Sequence, residues 1–226
     1  MKILIINPNS SLEMTDLIQK SAENFVNGEY EVITLPTEGA PEFIDTYRDQ
    51  ALAAPGMLDI VKKYEEEVDA FIVACHCDPN LDLLKEVTCK PVVGIGESSM
   101  KMASMLGHKF SVISTAQHSV PNKQALIRKY HLEGCLASVR YPKEEIVGCS
   151  CNEEQIYLET SKDAIKEDMA EVIVLGCAGL SGLDKKIQEE VNLPVLDPIL
   201  CALIIASGLV KASYTTSKIR RYALSY

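Results

Sequence analysis

With 226 residues, 47% of them hydrophobic and 24% charged, the chain carries enough apolar material for a substantial core and has the make-up of a globular protein. A net charge of −10 counts against nucleic acid or an anionic membrane surface as a partner. Eight cysteines in a chain of this size, several of them in apolar surroundings, read as free thiols in a reducing cytoplasm rather than as a disulfide framework.

The N-terminus "MKILIINPN" enters a strand pattern at once, without the apolar core and small-residue cleavage site of a leader, and no apolar run is long enough to span a bilayer. The expected location is cytoplasmic. The first strand, "KILII" (2–6), stops at "NPN", and Ser10-Ser11-Leu12-Glu13 reads as a capping box opening a helix through "MTDLIQKSAENFV" (14–26). "EVITL" (31–35) and "AFIVA" (70–74) follow, the latter running into Cys75. "KPVVGI" (90–95) then feeds the helical stretch "SSMKMASMLG" (98–107). Four more strands come next: "KFSVIS" (109–114), "CLASVRY" (135–141), "EVIVL" (171–175) and "LPVLD" (193–197). Helical spacing appears in "EEQIYLETSKDAI" (153–165) and "LCALIIASGL" (200–209). Continuous Val/Ile-rich strands alternating with helices predict an α/β fold whose parallel sheets are covered on both faces.

The eight strands form two sets of four in matching order. Lys2 corresponds to Lys109, Cys75 to Cys177 and Pro91 to Pro194, at a nearly constant offset of roughly a hundred residues. A period this long implies two similar α/β domains. They are placed at residues 1–97 and 98–207, and the segment 208–226, read as a C-terminal helix, is expected to pack back on the first. In open parallel sheets ligands bind beyond the carboxyl ends of the strands. Two domains facing across a cleft would therefore bring Cys75 and Cys177 to a ligand from opposite sides.

A thiol at a strand end, followed by a helix and oriented N–H groups, ionises more readily than free cysteine at pH ~8.5. With one thiolate and one thiol across a carbon acid, the first removes a proton while the second donates to the other face. Donors for the developing enolate are sought at the other strand ends: Asn7 and Asn9, Ser114 and Thr115, the turn residues His76 and Cys77, and the backbone of Ala178 and Gly179. Asn7 and Asn9 equally suit a strand-to-helix turn and cap. Ser114 and Thr115 equally suit a turn, and His76 is expected to point away from Cys75. No Lys or Arg is expected at these strand ends. His108, His118 and His131 read as solvated, and Cys89, Cys135, Cys149, Cys151 and Cys201 as packing or bystander residues. "GIGESS" is no phosphate loop, so a nucleotide cofactor is not expected. The C-x-C pairs are too tight for zinc-knuckle spacing, and no metal is expected. A thiol redox or metal-binding protein built on Cys75, Cys77, Cys149 and Cys151 is the non-enzyme alternative.

The stretches "INPNS", "FIDTYRDQALAAPGML", "IVACHCDPNLD", "KPVVGIGESS", "KFSVIST" and "LGCAGL" run in order along the chain. In them it resembles the aspartate/glutamate racemase superfamily and, within it, the hydantoin racemases, which include allantoin racemases. The resemblance implies two pseudo-symmetric flavodoxin-like domains and cofactor-independent racemisation of 5-substituted hydantoins, with Cys75 and Cys177 as the two bases. It also implies a homo-oligomer, often a tetramer or larger. His76 and Cys77 depart from the bulky aromatic and small residue common in the group, which bears on the substrate side chain. Maleate isomerases, which keep both cysteines, and racemases of open-chain acidic amino acids are the competing readings on the same fold.

Overall fold

The computed structural model describes residues 1–143 and 153–223. In chain order the elements are β1 (Lys2–Asn7), α1 (Leu12–Val26), β2 (Glu31–Pro36), α2 (Tyr47–Tyr64), β3 (Ala70–Val73), α3 (Leu81–Val87), β4 (Val92–Gly94) and α4 (Ile95–Leu106). The second series is β5 (Phe110–Ile113), α5 (Val120–Lys129), β6 (Leu136–Arg140), α6 (Glu153–Asp168), β7 (Val172–Leu175), α7 (Asp184–Val191), β8 (Val195–Leu196) and α8 (Pro198–Lys211). All eight expected strands are present. They form two four-stranded parallel sheets, ordered β2-β1-β3-β4 and β6-β5-β7-β8, the same winding in both.

By compactness the chain groups into Met1–Ile95 with Ile199–Tyr226, and Gly96–Pro198. The helix after each sheet's last strand therefore groups with the other unit: α4 with the second, α8 with the first. This differs from division at 97/98 and 207/208, because α8 is apolar on most faces and its buried Ile199, Ala202, Leu203 and Ala206 must join a core.

In the first unit, Leu4, Ile6, Phe71 and Val73 share one sheet face and pack with Met57 and Val61 of α2 and Leu84 of α3. The alternate residues Ile3, Ile5 and Ile72 are as fully buried, so the sheet is covered on both sides. In the second unit, Ile113, Ile173 and Leu175 pack with Tyr157 of α6 and Ile187 of α7. Phe110, Val112, Val172 and Val174 pack with Met100 and Ala103 of α4 and Ile127 of α5.

Two local expectations are corrected. The cap of α1 is Ser11, whose hydroxyl accepts from Met14 N–H at 3.3 Å, so the Ser10–Glu13 box is out of register by one residue. The Asn9 carboxamide accepts the Ser11 N–H at 3.0 Å, which carries the turn one residue further before the helix begins. The chain after Gly208 is helical only to Lys211; Ser213 takes a left-handed φ of 58° and residues 212–223 run on as turn and coil. That tail binds the first unit. Thr216 donates its N–H to Cys89 O and its hydroxyl to Lys90 O, Lys218 donates to Lys85 O and Glu86 O, and Tyr222 donates to Asp82. Among the described residues no helix is long and apolar enough to cross a membrane.

Candidate active site

Cys75 and Cys177 each follow an interior strand of their own sheet. Past β3 the ladder continues through Ala74 N–H to Ile6 O at 2.9 Å, and past β7 through Gly176 N–H to Ile113 O at 2.8 Å. Each thiol-bearing residue then opens a tight turn. Asp78 N–H donates to Cys75 O at 2.9 Å, and Leu180 N–H donates to Cys177 O at 3.2 Å. Both side chains are partly exposed although the strands behind them are buried. The repeated strand-and-cysteine pattern thus folds into the same local device twice.

The two turns differ at the second residue after the cysteine. Gly179 presents its N–H to Cys177 Sγ at 3.4 Å, a donor that favours the thiolate. At the corresponding place in the first unit stands Cys77, whose Sγ lies 3.2 Å from Cys75 Sγ. His76, between the two thiols, is buried.

A buried carboxylate stands between each turn and the neighbouring strand end, supplied from opposite sides in the two units. In the first unit Asp78, in the turn itself, lies against Gly94 at the end of β4. A methyl group on Gly94 would stand 2.3 Å from Asp78 Oδ1, so any larger residue there would have to displace the Asp78 carboxylate. In the second unit Asp197 follows β8 and accepts from the Ser181 hydroxyl at 2.5 Å and from Gly182 N–H at 3.1 Å. Gly94 and Asp197 are counterparts under the offset that relates Pro91 to Pro194. Where one half has the carboxylate on the turn and a hole on the strand, the other has the carboxylate on the strand.

The other expected site residues divide by exposure. Asn7 is fully buried, and its amide donates to Asn9 Oδ1 at 2.8 Å, Thr15 Oγ1 at 2.9 Å and Ser11 O at 3.3 Å. These bonds hold the β1–α1 turn, with Asn9 half-buried beside it. Ser114 is buried, donates its hydroxyl to Ser119 Oγ at 2.5 Å, whose own hydroxyl goes to Ala116 O, and donates its N–H to Arg140 O at 2.7 Å, whereas Thr115 is exposed. Ala178 is buried and Gly179 half-buried. His108, His118 and His131 are exposed, Cys89 is exposed, Cys135 half-buried and Cys201 buried. Cys149 and Cys151 lie outside the described residues.

The expectation of no Lys or Arg at the strand ends is corrected twice. Arg140 is the last residue of β6, and Asp168, Glu167 and Asp163 surround its guanidinium, at 2.5 Å for Asp168. Lys123 on α5 is buried and donates to Gly176 O at 2.8 Å, the carbonyl immediately before Cys177. Gly176 itself has no room for a side chain, since a Cβ would stand 2.6 Å from Ile113 O. The peptide leading into Cys177 is therefore fixed by a glycine, a ladder bond and a buried cation. Lys123 was legible in principle: with Leu126 and Ile127 it shares the buried face of α5, where an ammonium group signals a specific acceptor.

Known proteins share this fold. The profile of the Asp/Glu/Hydantoin racemase family matches residues 3–206. The hydantoin racemase of Pseudomonas sp. (strain NS671) is 34% identical over 98% of this chain and 91% of its own. That of Paenarthrobacter aurescens is 35% identical over 98% and 96%. The solved allantoin racemase from Klebsiella pneumoniae superposes with a TM-score of 0.94 at 29% identity, covering 100% of this chain and 94% of its own. With a profile match over residues 3–206 and relatives above 30% identity over nearly the whole chain, the protein belongs to the Asp/Glu/hydantoin racemase family and is an isomerase of the racemase class.

Proposed function

We propose that the protein racemises 5-substituted hydantoins, allantoin among them, without a cofactor, by passing the C5 proton between Cys75 and Cys177. The observation that carries this reading is the pair of equivalent strand-end turns, each presenting a partly exposed thiol. Relatives over nearly the whole chain that are hydantoin racemases, and the likeness to an allantoin racemase, support this substrate class. In such a ring C5 lies beside a carbonyl, so removal of its hydrogen leaves an enolate. The Cys75 thiolate takes the proton from one face and the Cys177 thiol returns one to the other; for the opposite enantiomer the roles exchange. General acid–base steps of this kind are worth about 10²–10⁴-fold in rate.

We assign substrate contact to Asn9, Cys77, Thr115 and Gly179, whose partial or full exposure supports it. Buried Asn7, His76, Ser114 and Ala178 shape the turns behind them. A second reading, isomerisation of a small dicarboxylate or racemisation of an acidic amino acid, draws support from the Lys123 ammonium beside Gly176. A screen of hydrogen exchange in deuterated water with hydantoins, allantoin, maleate, aspartate and glutamate separates the two. Exchange at C5 of a hydantoin, with decay of optical rotation, is the expected result. Silence on every hydantoin with turnover of an open-chain acid would refute the first reading.

The two-thiol step has its own test. Cys75→Ser and Cys177→Ser should each abolish net racemisation, because a hydroxyl is far too weak an acid or base near neutral pH. Each variant should keep slow C5 exchange for one enantiomer only, and for opposite enantiomers in the two variants. Exchange of the same enantiomer by both would rule out attack from opposite faces.

A further inference from the structure

We infer that Cys75 and Cys77 form a reversible oxidation site, at which a peroxide converts the dithiol into an internal disulfide. Three observations carry this. The two sulfurs lie 3.2 Å apart. The backbone between them is already folded back, because Asp78 N–H closes a turn onto Cys75 O at 2.9 Å. Both thiols are partly exposed while the intervening His76 is buried, so they are open to a small solute on the same side of the turn. A disulfide sets its sulfurs ~2.05 Å apart, so closure asks for an approach of about 1 Å.

The chemistry balances with hydrogen peroxide as the only co-reactant. The Cys75 thiolate attacks one peroxide oxygen; the S–O bond forms, the O–O bond breaks, and the departing hydroxide takes a proton to become water. The Cys75 sulfenic acid is then attacked by the Cys77 sulfur. The S–S bond forms, the S–O bond breaks, and the leaving hydroxide takes the Cys77 proton as a second water. Two thiols lose two electrons in total and one peroxide gains them.

A disulfide between residues two apart closes a small ring, and such strain makes the bond easier to reduce. The disulfide also diverts the sulfenic acid from irreversible sulfinic acid. In the second unit Gly179 stands where Cys77 stands in the first, so only one of the two turns has this chemistry. The consequence for catalysis rests on the proposed role of Cys75; the disulfide itself does not.

The test treats the reduced full-length protein with hydrogen peroxide, then alkylates and digests it with trypsin. Residues 64–85 fall in one peptide that holds Cys75 and Cys77 and no other cysteine. That peptide should lose two hydrogens in mass, resist alkylation, and regain both thiols with dithiothreitol. Racemase activity should fall and recover in parallel. In Cys77→Ser the same dose should carry Cys75 on to the sulfinic acid, which dithiothreitol does not reverse. Sulfinic acid at Cys75 in the parent as fast as in Cys77→Ser, or linkage of Cys75 to a different peptide, would overturn the inference. If hydantoins are not the substrate the peptide masses still read it, so the two failures are distinct.

Discussion

A buried ammonium group such as Lys123 is costly unless its donors are satisfied, and the carbonyl it engages belongs to the residue before Cys177. Lys123 is thus a positioning residue for the second turn. Lys123→Met keeps the length of the side chain and removes both charge and donor. It should lower kcat/KM by about tenfold or more, ~1.4 kcal/mol in the barrier. A purely structural role would move both turns or neither. The informative readout is therefore iodoacetamide alkylation followed thiol by thiol: Cys177 should react roughly threefold more slowly while Cys75 is unchanged, since alkylation follows thiolate content. Equal change at both cysteines would sink the assignment, and Lys123→Arg should restore part of the difference. Cys75 and Asp78 show how much a single position decides. A thiol at 77, or a glycine at 94, sets which groups can touch the turn that follows β3.

At the scale of elements, β6 is the edge strand of its sheet and its attachment to α6 runs through Arg140. The Arg140 guanidinium, hydrogen-bonded to Asp168, holds that carboxyl below its ordinary range against the opposing effect of burial, with a further bond from Ser138 in the same direction. A carboxylate with a depressed folded value stabilises the fold fully above its unfolded value, ~3.9, and loses that contribution as pH falls through the folded value. Asp168→Asn should therefore cost about 1 kcal/mol at pH 7, a charge-assisted pair discounted for its partial exposure. The gap between parent and variant should narrow below pH ~4 and not above it. Urea unfolding at pH 7 and at acid pH measures both; a gap independent of pH would mean the pair contributes shape and not charge. The C-terminal tail is a second attachment. Its bonds from Thr216, Lys218 and Tyr222 fall on α3, the helix that follows the Cys75 turn in the chain, and on the segment before β4. Ending the chain after Lys211 should speed amide exchange over residues 81–87 by about tenfold, read by hydrogen–deuterium exchange and mass spectrometry. Unchanged exchange there would show that α3 holds its position without the tail.

Across the whole molecule the duplication is visible in topology as well as in landmarks. Both sheets wind in the same order, Cys75 and Cys177 each follow an interior strand, and both turns close with the same three-residue hydrogen bond. The halves then diverge where their chemistry differs: Cys77 against Gly179 beside the thiol, and Asp78–Gly94 against Ser181–Asp197 behind it. On the proposed two-thiol reading, a duplicated scaffold with unlike turns suits bases that meet mirror-image substrates without being identical.

The strands, their parallel winding and the equivalent positions of Cys75 and Cys177 after β3 and β7 were legible in the chain itself, because runs such as "FIVA" and "VIVL" carry their burial in composition and the repeat marks corresponding places. Family membership was legible for the same reason, since the motifs keep their order and spacing. What the sequence could not specify were contacts set by distance across the fold. The cap moved from Ser10 to Ser11 because Asn9 engaged the next N–H, a competition among neighbouring polar groups that a four-residue pattern does not resolve. Helix α8 groups with the first unit because its apolar faces need a core that sequence adjacency to β8 does not supply. Lys123 reaches Gly176, Asp197 reaches Ser181, and the two sulfurs of the first turn lie side by side, because folding brings donors to acceptors that sit far apart or on uncertain faces of a turn. Local periodicity determines which residues are buried; only the closed fold determines which polar groups they are buried against.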